Sequence, residues 1–241
     1  VPSHQIFPEE PVAESMTLAL DRVDTVTIDS YSTVVDVDSA ERALVDHVED
    51  PSSVSRLWRG RSLTYASMSN YLGRYEPFWG LLDRALEYAL AVSGVDLPAA
   101  TREDVLSIYR DLDAFEDVRP GLERLTDVGY DCYVLSHGSP DMLDAMVERA
   151  GVDDLIADAI SADEVETYKP AAEIYRHAAA RTGTPARRIL HASAGWFDAV
   201  GAKHVGMQGV WMNRDGAPPE TWGPEPDGAV SSFEELADAI T

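Results

Sequence analysis

Two rhythms of apolar residues alternate along the chain. The run Val23 to Ile28 (Val-Asp-Thr-Val-Thr-Ile) is rich in β-branched residues and stops at Asp29, which predicts a strand presenting a carboxylate at its C-terminal tip. From about Ser39 to Phe115 the rhythm becomes helical. Between Ser53 and Leu72, the residues Leu57, Trp58, Tyr65, Met68 and Leu72 recur mainly at three- and four-residue steps, and Phe78 to Val92 carries a second dense apolar face. No comparable β-branched run interrupts this stretch, which reads as an all-helical unit inserted after the first strand. Beyond Pro120 strands and helices alternate. Helices are predicted at Gly121 to Val128, from Ser139-Pro140, at Ala171 to Arg181 and around Asp198 to His204. Strands are predicted at Asp131 to Leu135, near Asp158 to Ser161, at Arg188 to Ala192 and at Gln208 to Met212. Gly216 to Gly228, with four prolines, reads as a surface loop.

Alternating strands and helices imply an α/β fold with a parallel sheet covered on both faces. The boundaries follow as residues 16–36 and 117–241 for the core and 37–116 for the helical insert, with residues 1–15, ahead of Met16, as an N-terminal extension. Sheets of this kind bind ligands at the carboxyl ends of their strands.

Composition narrows the partners. The 241 residues carry 43 acidic and 19 basic side chains, a formal net charge of −24. That surface argues against nucleic acid and anionic membrane as partners, since both need a basic patch. Only Lys169 and Lys203 are lysines. Scarce lysine with a large acidic excess resembles proteins of salt-rich cytoplasm, where self-repulsion is screened. Cys132 is the sole cysteine, which rules out an intrachain disulfide or a cysteine zinc cluster, and its apolar neighbours make it a buried strand residue. The first fifteen residues lack the basic flank and apolar core of a signal peptide, so a cytoplasmic location is expected.

Four predicted strand ends carry residues suited to chemistry: Asp29 with Tyr31 and Thr33, Ser136 with His137, Lys169 in Tyr168-Lys169-Pro170, and Ser193 with Asp198. In this order they resemble the haloacid dehalogenase superfamily, with its Rossmann-like core and helical cap. Phosphatases of that superfamily place a second aspartate two residues after the nucleophile, and an acid for magnesium four residues before the later aspartate; here those positions are Tyr31 and Ala194. A leaving group that needs neither a proton nor a metal, such as halide, fits better. The insert sequence Leu57-Trp58-Arg59-Gly60-Arg61-Ser62-Leu63-Thr64-Tyr65 is similar to the cap of type II 2-haloacid dehalogenases, as are Leu135 to Pro140 and Trp211-Met212-Asn213-Arg214.

The resemblance implies hydrolysis of short 2-haloalkanoic acids to 2-hydroxy acids through an ester on Asp29, with no cofactor and no metal. It gives Lys169 the task of keeping Asp29 ionised, and it makes Arg59 the halide-facing cation, with Arg61 as the nearest decoy. Ser136 and backbone N–H groups from Ser30 onward would hold the substrate carboxylate, while Tyr31 and Leu63 line an apolar wall. Asp198 and Ser193 would position or deprotonate the hydrolytic water, and Thr33 and Tyr175 would support Asp29 and the pocket. Phe197 keeps an aromatic place before Asp198. The chain departs from the family pattern at Ser32 (glycine), His137 (asparagine) and Gly195 (asparagine). A phosphatase-like hydrolase, another small-acid hydrolase using the same aspartyl ester, or a degenerate member with weak or no catalysis remain alternatives. The aromatic helices between Trp58 and Trp79 could supply a homodimer face or serve as internal core.

Overall fold

The computed structural model describes residues 18, 19 and 22–241; the sequence reading of 1–15 and Met16 lies outside the described residues. In chain order the elements are β1 (Thr25–Ile28), β2 (Val35–Asp36), α1 (Pro51–Leu72), α2 (Phe78–Val92), α3 (Ala99–Leu106), β3 (Asp113–Ala114), α4 (Val118–Asp127) and β4 (Asp131–Ser136). They continue as α5 (Pro140–Ala150), β5 (Ile156–Ser161), α6 (Ala172–Thr182), β6 (Ile189–Ser193), α7 (Trp196–His204), β7 (Gln208–Met212), β8 (Gly228–Val230) and α8 (Phe233–Ile240).

Six strands form one parallel sheet in the order β5-β4-β1-β6-β7-β8. β1 is central and every side chain in it is buried, which is why its sequence is a near-continuous β-branched run. Its neighbours β4 and β6 bring Ser136 and Ser193 to the same edge as Asp29. Cys132 lies buried in β4, where burial pushes its thiol up to about 12.

A second, two-stranded antiparallel sheet pairs Val35 with Ala114 and Asp36 with Asp113. This ribbon frames the helical segment at both ends. Inside that segment α1 starts on Asp50, whose carboxylate accepts from the Ser53 N–H at 3.0 Å, with Pro51 in the first turn; it stops at Gly73, whose φ of 59° is left-handed. The buried stripe of α1 is Val54, Trp58, Ser62, Ala66 and Ser69, whereas Met68 and Leu72 are exposed. The apolar face expected from the sequence is therefore partly misplaced. Trp58 is the one large side chain of this stripe, and its indole N–H donates to the Leu82 carbonyl of α2 at 2.8 Å. Among the described residues, no helix is long and apolar enough to cross a membrane.

Candidate active site

The carboxyl edge of the sheet brings one cation between two carboxylates. Lys169 donates from Nζ to Asp29 Oδ1 and to Asp198 Oδ2, both at 2.6 Å, and to the Leu135 carbonyl at 2.9 Å. The Lys169 and Asp198 side chains are each only 2% exposed, and Asp29 is 13% exposed, so Asp29 is the member open to a ligand. Its other oxygen, Oδ2, accepts from the Thr33 hydroxyl at 3.0 Å, and that hydroxyl accepts in turn from the Ala194 N–H at 2.9 Å.

Asp198 is held more completely. Tyr175 donates to Oδ1 at 2.6 Å, and His191 Nε2 lies 3.1 Å from Oδ2, too poorly aligned to count as a hydrogen bond. Burial opposes charge on Asp198, but the Lys169 ammonium and then His191 outweigh it, holding the carboxyl well below the usual carboxylate range. Burial likewise opposes charge on Lys169, and Asp198 and Asp29 together reverse it, raising the amine above its ordinary value. The same proximity to Asp198, added to burial, lifts the Tyr175 hydroxyl well above 10.0. Tyr175 is thereby a proton donor in the hydrogen bond to Asp198.

Above this network a cavity of about 240 Å³ is lined by Asp29, Tyr31, Ser32, Arg59, Leu63, His137, Lys169, Ser193, Ala194, Gly195, Phe197 and Asp198. Two larger surface hollows, of about 470 and 580 Å³, hold none of these groups. Arg59 comes from the helical segment, its guanidinium carbon 5.8 Å from the Tyr31 ring centroid, and no ion pair to it is found among the described residues. Arg61 turns the other way, onto Tyr88 at 4.2 Å. Nine of the thirteen side chains singled out in the sequence therefore line one cavity. The other four, Ser30, Thr33, Ser136 and Tyr175, sit behind its wall: Ser136 Oγ lies 2.5 Å from Ser30 Oγ and accepts from the Gly138 N–H at 3.1 Å.

Sequence reasoning missed His191. The signal was available: a lone histidine in the buried strand Ile-Leu-His-Ala-Ser, two residues before Ser193 and so on the same side of the sheet. It also missed Arg214 as a tether, which donates to the Thr33 carbonyl at 2.8 Å and to Asp117 at 2.9 Å.

The profile of the haloacid dehalogenase-like hydrolase family matches residues 16–206. The chain belongs to this family. It is 33% identical over 202 residues to (S)-2-haloacid dehalogenase 4A of Burkholderia cepacia, an alignment that covers 83% of this chain and 87% of that one. A solved L-2-haloacid dehalogenase superposes with a TM-score of 0.87 at 33% identity, covering 90% of this chain and 98% of the other. The L-2-haloacid dehalogenase of Xanthobacter autotrophicus, solved with chloropropionic acid covalently bound, superposes with a TM-score of 0.84 at 26% identity and the same coverage.

The three departures from the dehalogenase pattern have physical readings. Ser32 has a φ of 69°, a left-handed conformation that favours glycine, and its N–H donates to the Val35 carbonyl at 2.8 Å to close the turn after Asp29. At Gly195 a Cβ would lie 3.1 Å from the Phe197 ring, so any side chain there presses on the cavity wall. The segment of Ala194 and Gly195 is tied to the loop after Asp29 by the Ala194 N–H, which donates to the Thr33 hydroxyl.

His137 is buried between Phe78 and Tyr168, its Nε2 without a partner. Burial, then Lys169, push its pKa from 6.5 down to about 3, so it faces the cavity as neutral imidazole at neutral pH. A base whose folded value is depressed binds fewer protons folded than unfolded between those two values, so its contribution to stability falls as pH drops from about 6.5 towards 3. Denaturant titrations across that range should therefore show a shallower acid loss for His137→Asn than for the parent chain. Equal acid slopes for the two proteins would mean that His137 titrates normally.

Proposed function

We propose that the chain is a hydrolytic dehalogenase of short 2-haloalkanoic acids, yielding 2-hydroxy acids, with residues 37–116 serving as the cap over a core of 16–36 and 117–241. The observation that carries this reading is the arrangement of Asp29. It is a carboxylate at the tip of the central strand, held by Lys169 and Thr33, and it opens into a cavity also lined by Arg59, a cation with no ion pair among the described residues.

In the first step an oxygen of Asp29 attacks the substrate carbon bearing the halogen from the rear. The carbon–halogen bond breaks with its electron pair, and halide departs towards Arg59, which stabilises the developing negative charge. Lys169 and Thr33 hold the attacking carboxylate in place. In the second step water attacks the Asp29 ester carbonyl. Asp198, kept ionised by Lys169, takes one water proton and passes it to the alkoxy oxygen as the bond from the Asp29 acyl carbon to that oxygen breaks; the hydroxy acid leaves, and Asp29, regenerated as the carboxylic acid, releases the remaining proton. The net reaction consumes one water and yields halide and a proton. Tyr31, Leu63 and Phe197 form the apolar wall, and Ser193 holds the loop of Ala194 and Gly195 by accepting from the Gly195 N–H at 3.1 Å.

A phosphatase reading is less well supported, because positions 31 and 194 carry a tyrosine and an alanine where carboxylates are called for. The test is release of chloride or bromide and appearance of 2-hydroxy acid from 2-chloropropionate and 2-bromopropionate, run beside phosphate esters with added magnesium. Hydrolysis of the phosphate esters alone, or of neither class, would overturn the reading.

The acid excess belongs to the proposal as a habitat property: a chain of net charge −24 acting on an anion works in a salty cytoplasm. Screening shortens the Debye length from about 10 Å at 0.1 M salt to about 3 Å at 1 M. Thermal midpoints should accordingly rise by about 5 °C or more across that range, equivalent to roughly 2 kcal/mol. A flat or falling midpoint would remove the halophilic reading. For assembly, the reading is a homodimer: α1 exposes Met68, Tyr71 and Leu72 at helical spacing, an apolar face suited to a second copy, and light scattering at high salt reports the mass.

A further inference from the structure

We propose that Asn70 is a positioning residue that locks helix α1, and with it Arg59 and Leu63, in register against the segment carrying Lys169. This rests on the reading of Asp29 and Arg59 given above. The residues 59, 63, 66 and 70 of α1 recur at four-, three- and four-residue steps, so they share one stripe, and Arg59 and Asn70 stand about 16 Å apart along the axis. Arg59 and Leu63 line the cavity and Ala66 is buried. At the far end of the stripe Asn70 pairs with both backbone groups of Tyr168, donating from Nδ2 to its carbonyl at 2.7 Å and accepting at Oδ1 from its N–H at 2.9 Å. The Thr167 hydroxyl adds a third bond to Oδ1 at 3.1 Å.

Tyr168 directly precedes Lys169, and its ring is fully buried against Tyr75, Phe78 and His137. One amide thus ties the helix that supplies the halide-facing cation to the segment that holds the nucleophile's partner. Lys169 itself is anchored independently by Asp29, Asp198 and the Leu135 carbonyl, all within the core. Loss of Asn70 therefore shifts Arg59 and Leu63 relative to Asp29 while leaving the core network in place. A displacement of about 1 Å costs on the order of 10²-fold when a step depends on close alignment. Halide displacement depends on the helix in this way; ester hydrolysis draws on core groups alone.

Quench-flow with 2-chloropropionate separates the two steps, chloride appearance reporting ester formation and hydroxy-acid appearance reporting its hydrolysis. In Asn70→Ala, chloride formation should slow by about tenfold or more, with ester hydrolysis unchanged within about twofold. Asn70→Asp, which keeps the acceptor for the Tyr168 N–H but loses the donor, should give the same selective slowing to a smaller degree and serves where the alanine variant does not fold. An equal fall in both steps would overturn the proposal, since it indicates general structural support, and so would no change in either. A parent chain that forms no chloride would instead refute the dehalogenase reading and the inference with it.

Discussion

Asp29→Asn is expected to abolish halide release, lowering the rate by about 10⁴-fold or more, the scale seen when a covalent nucleophile is removed. The substitution keeps the shape of the side chain, and Lys169 retains Asp198 and the Leu135 carbonyl as partners, so the fold should survive. An amide nitrogen would then face either the ammonium or the Thr33 hydroxyl, and the carboxylate proposed to form the ester is gone. Ion chromatography of chloride from 2-chloropropionate, with a thermal melt to confirm folding, measures the effect. A folded variant within about tenfold of the parent rate would assign the displacement to another group, for which a water activated by Asp198 is the nearest candidate.

The second large effect is expected at Lys169→Met. Methionine matches the stem but removes the only ammonium between two carboxylates, one of them 2% exposed. Leaving a buried charge without its partner costs about 3–5 kcal/mol, and catalysis should fall by about 10²-fold or more. The pH dependence carries the sign of the shifts. A depressed carboxyl such as Asp198 stabilises the fold above its ordinary value of 3.8 and loses that contribution as pH falls through its lower folded value. A raised amine such as Lys169 contributes fully below 10.5 and loses its share as pH rises through its higher folded value. The parent network is thus at full strength between about pH 4 and about pH 10. Without the cation, burial raises the Asp198 pKa and protonation relieves the buried charge, so Lys169→Met should lose less stability on acidification than the parent. Denaturant melts from acid to neutral pH check this, and parallel curves would contradict the central place given to Lys169.

Much of this arrangement was legible in the sequence because parallel strands declare themselves twice, by apolar continuity within and by a polar residue where the chain leaves the sheet. Asp29, Ser136 and Ser193 sit at such ends, and the structure places all three at one sheet edge. The ribbon of Val35–Asp36 with Asp113–Ala114 was not legible, since two-residue strands have no period to detect. Helix α3 escaped for a related reason: only Val105 and Leu106 of its eight residues are buried. Helix α8 is absent from the sequence reading although it buries a complete stripe at Phe233, Leu236, Ala237 and Ile240. The α1 face escapes the apolar rhythm because the residues it buries are largely serines and an alanine around Val54 and Trp58, and buried serines leave no hydrophobic signature. Asn70 and Arg214 lie beyond sequence reasoning in a different sense, since each acts through a partner far along the chain that only the tertiary fold supplies.

The central claim is that the oxygen delivered to the product comes from Asp29. A single turnover of excess enzyme on 2-chloropropionate in ¹⁸O-labelled water tests it directly, with mass spectrometry of the hydroxy acid and of the peptide containing Asp29. The account predicts unlabelled hydroxy acid and label in the Asp29 carboxyl. Label in the first-turnover product with none in the peptide would contradict it, because water would then have displaced the halide without an ester on the chain.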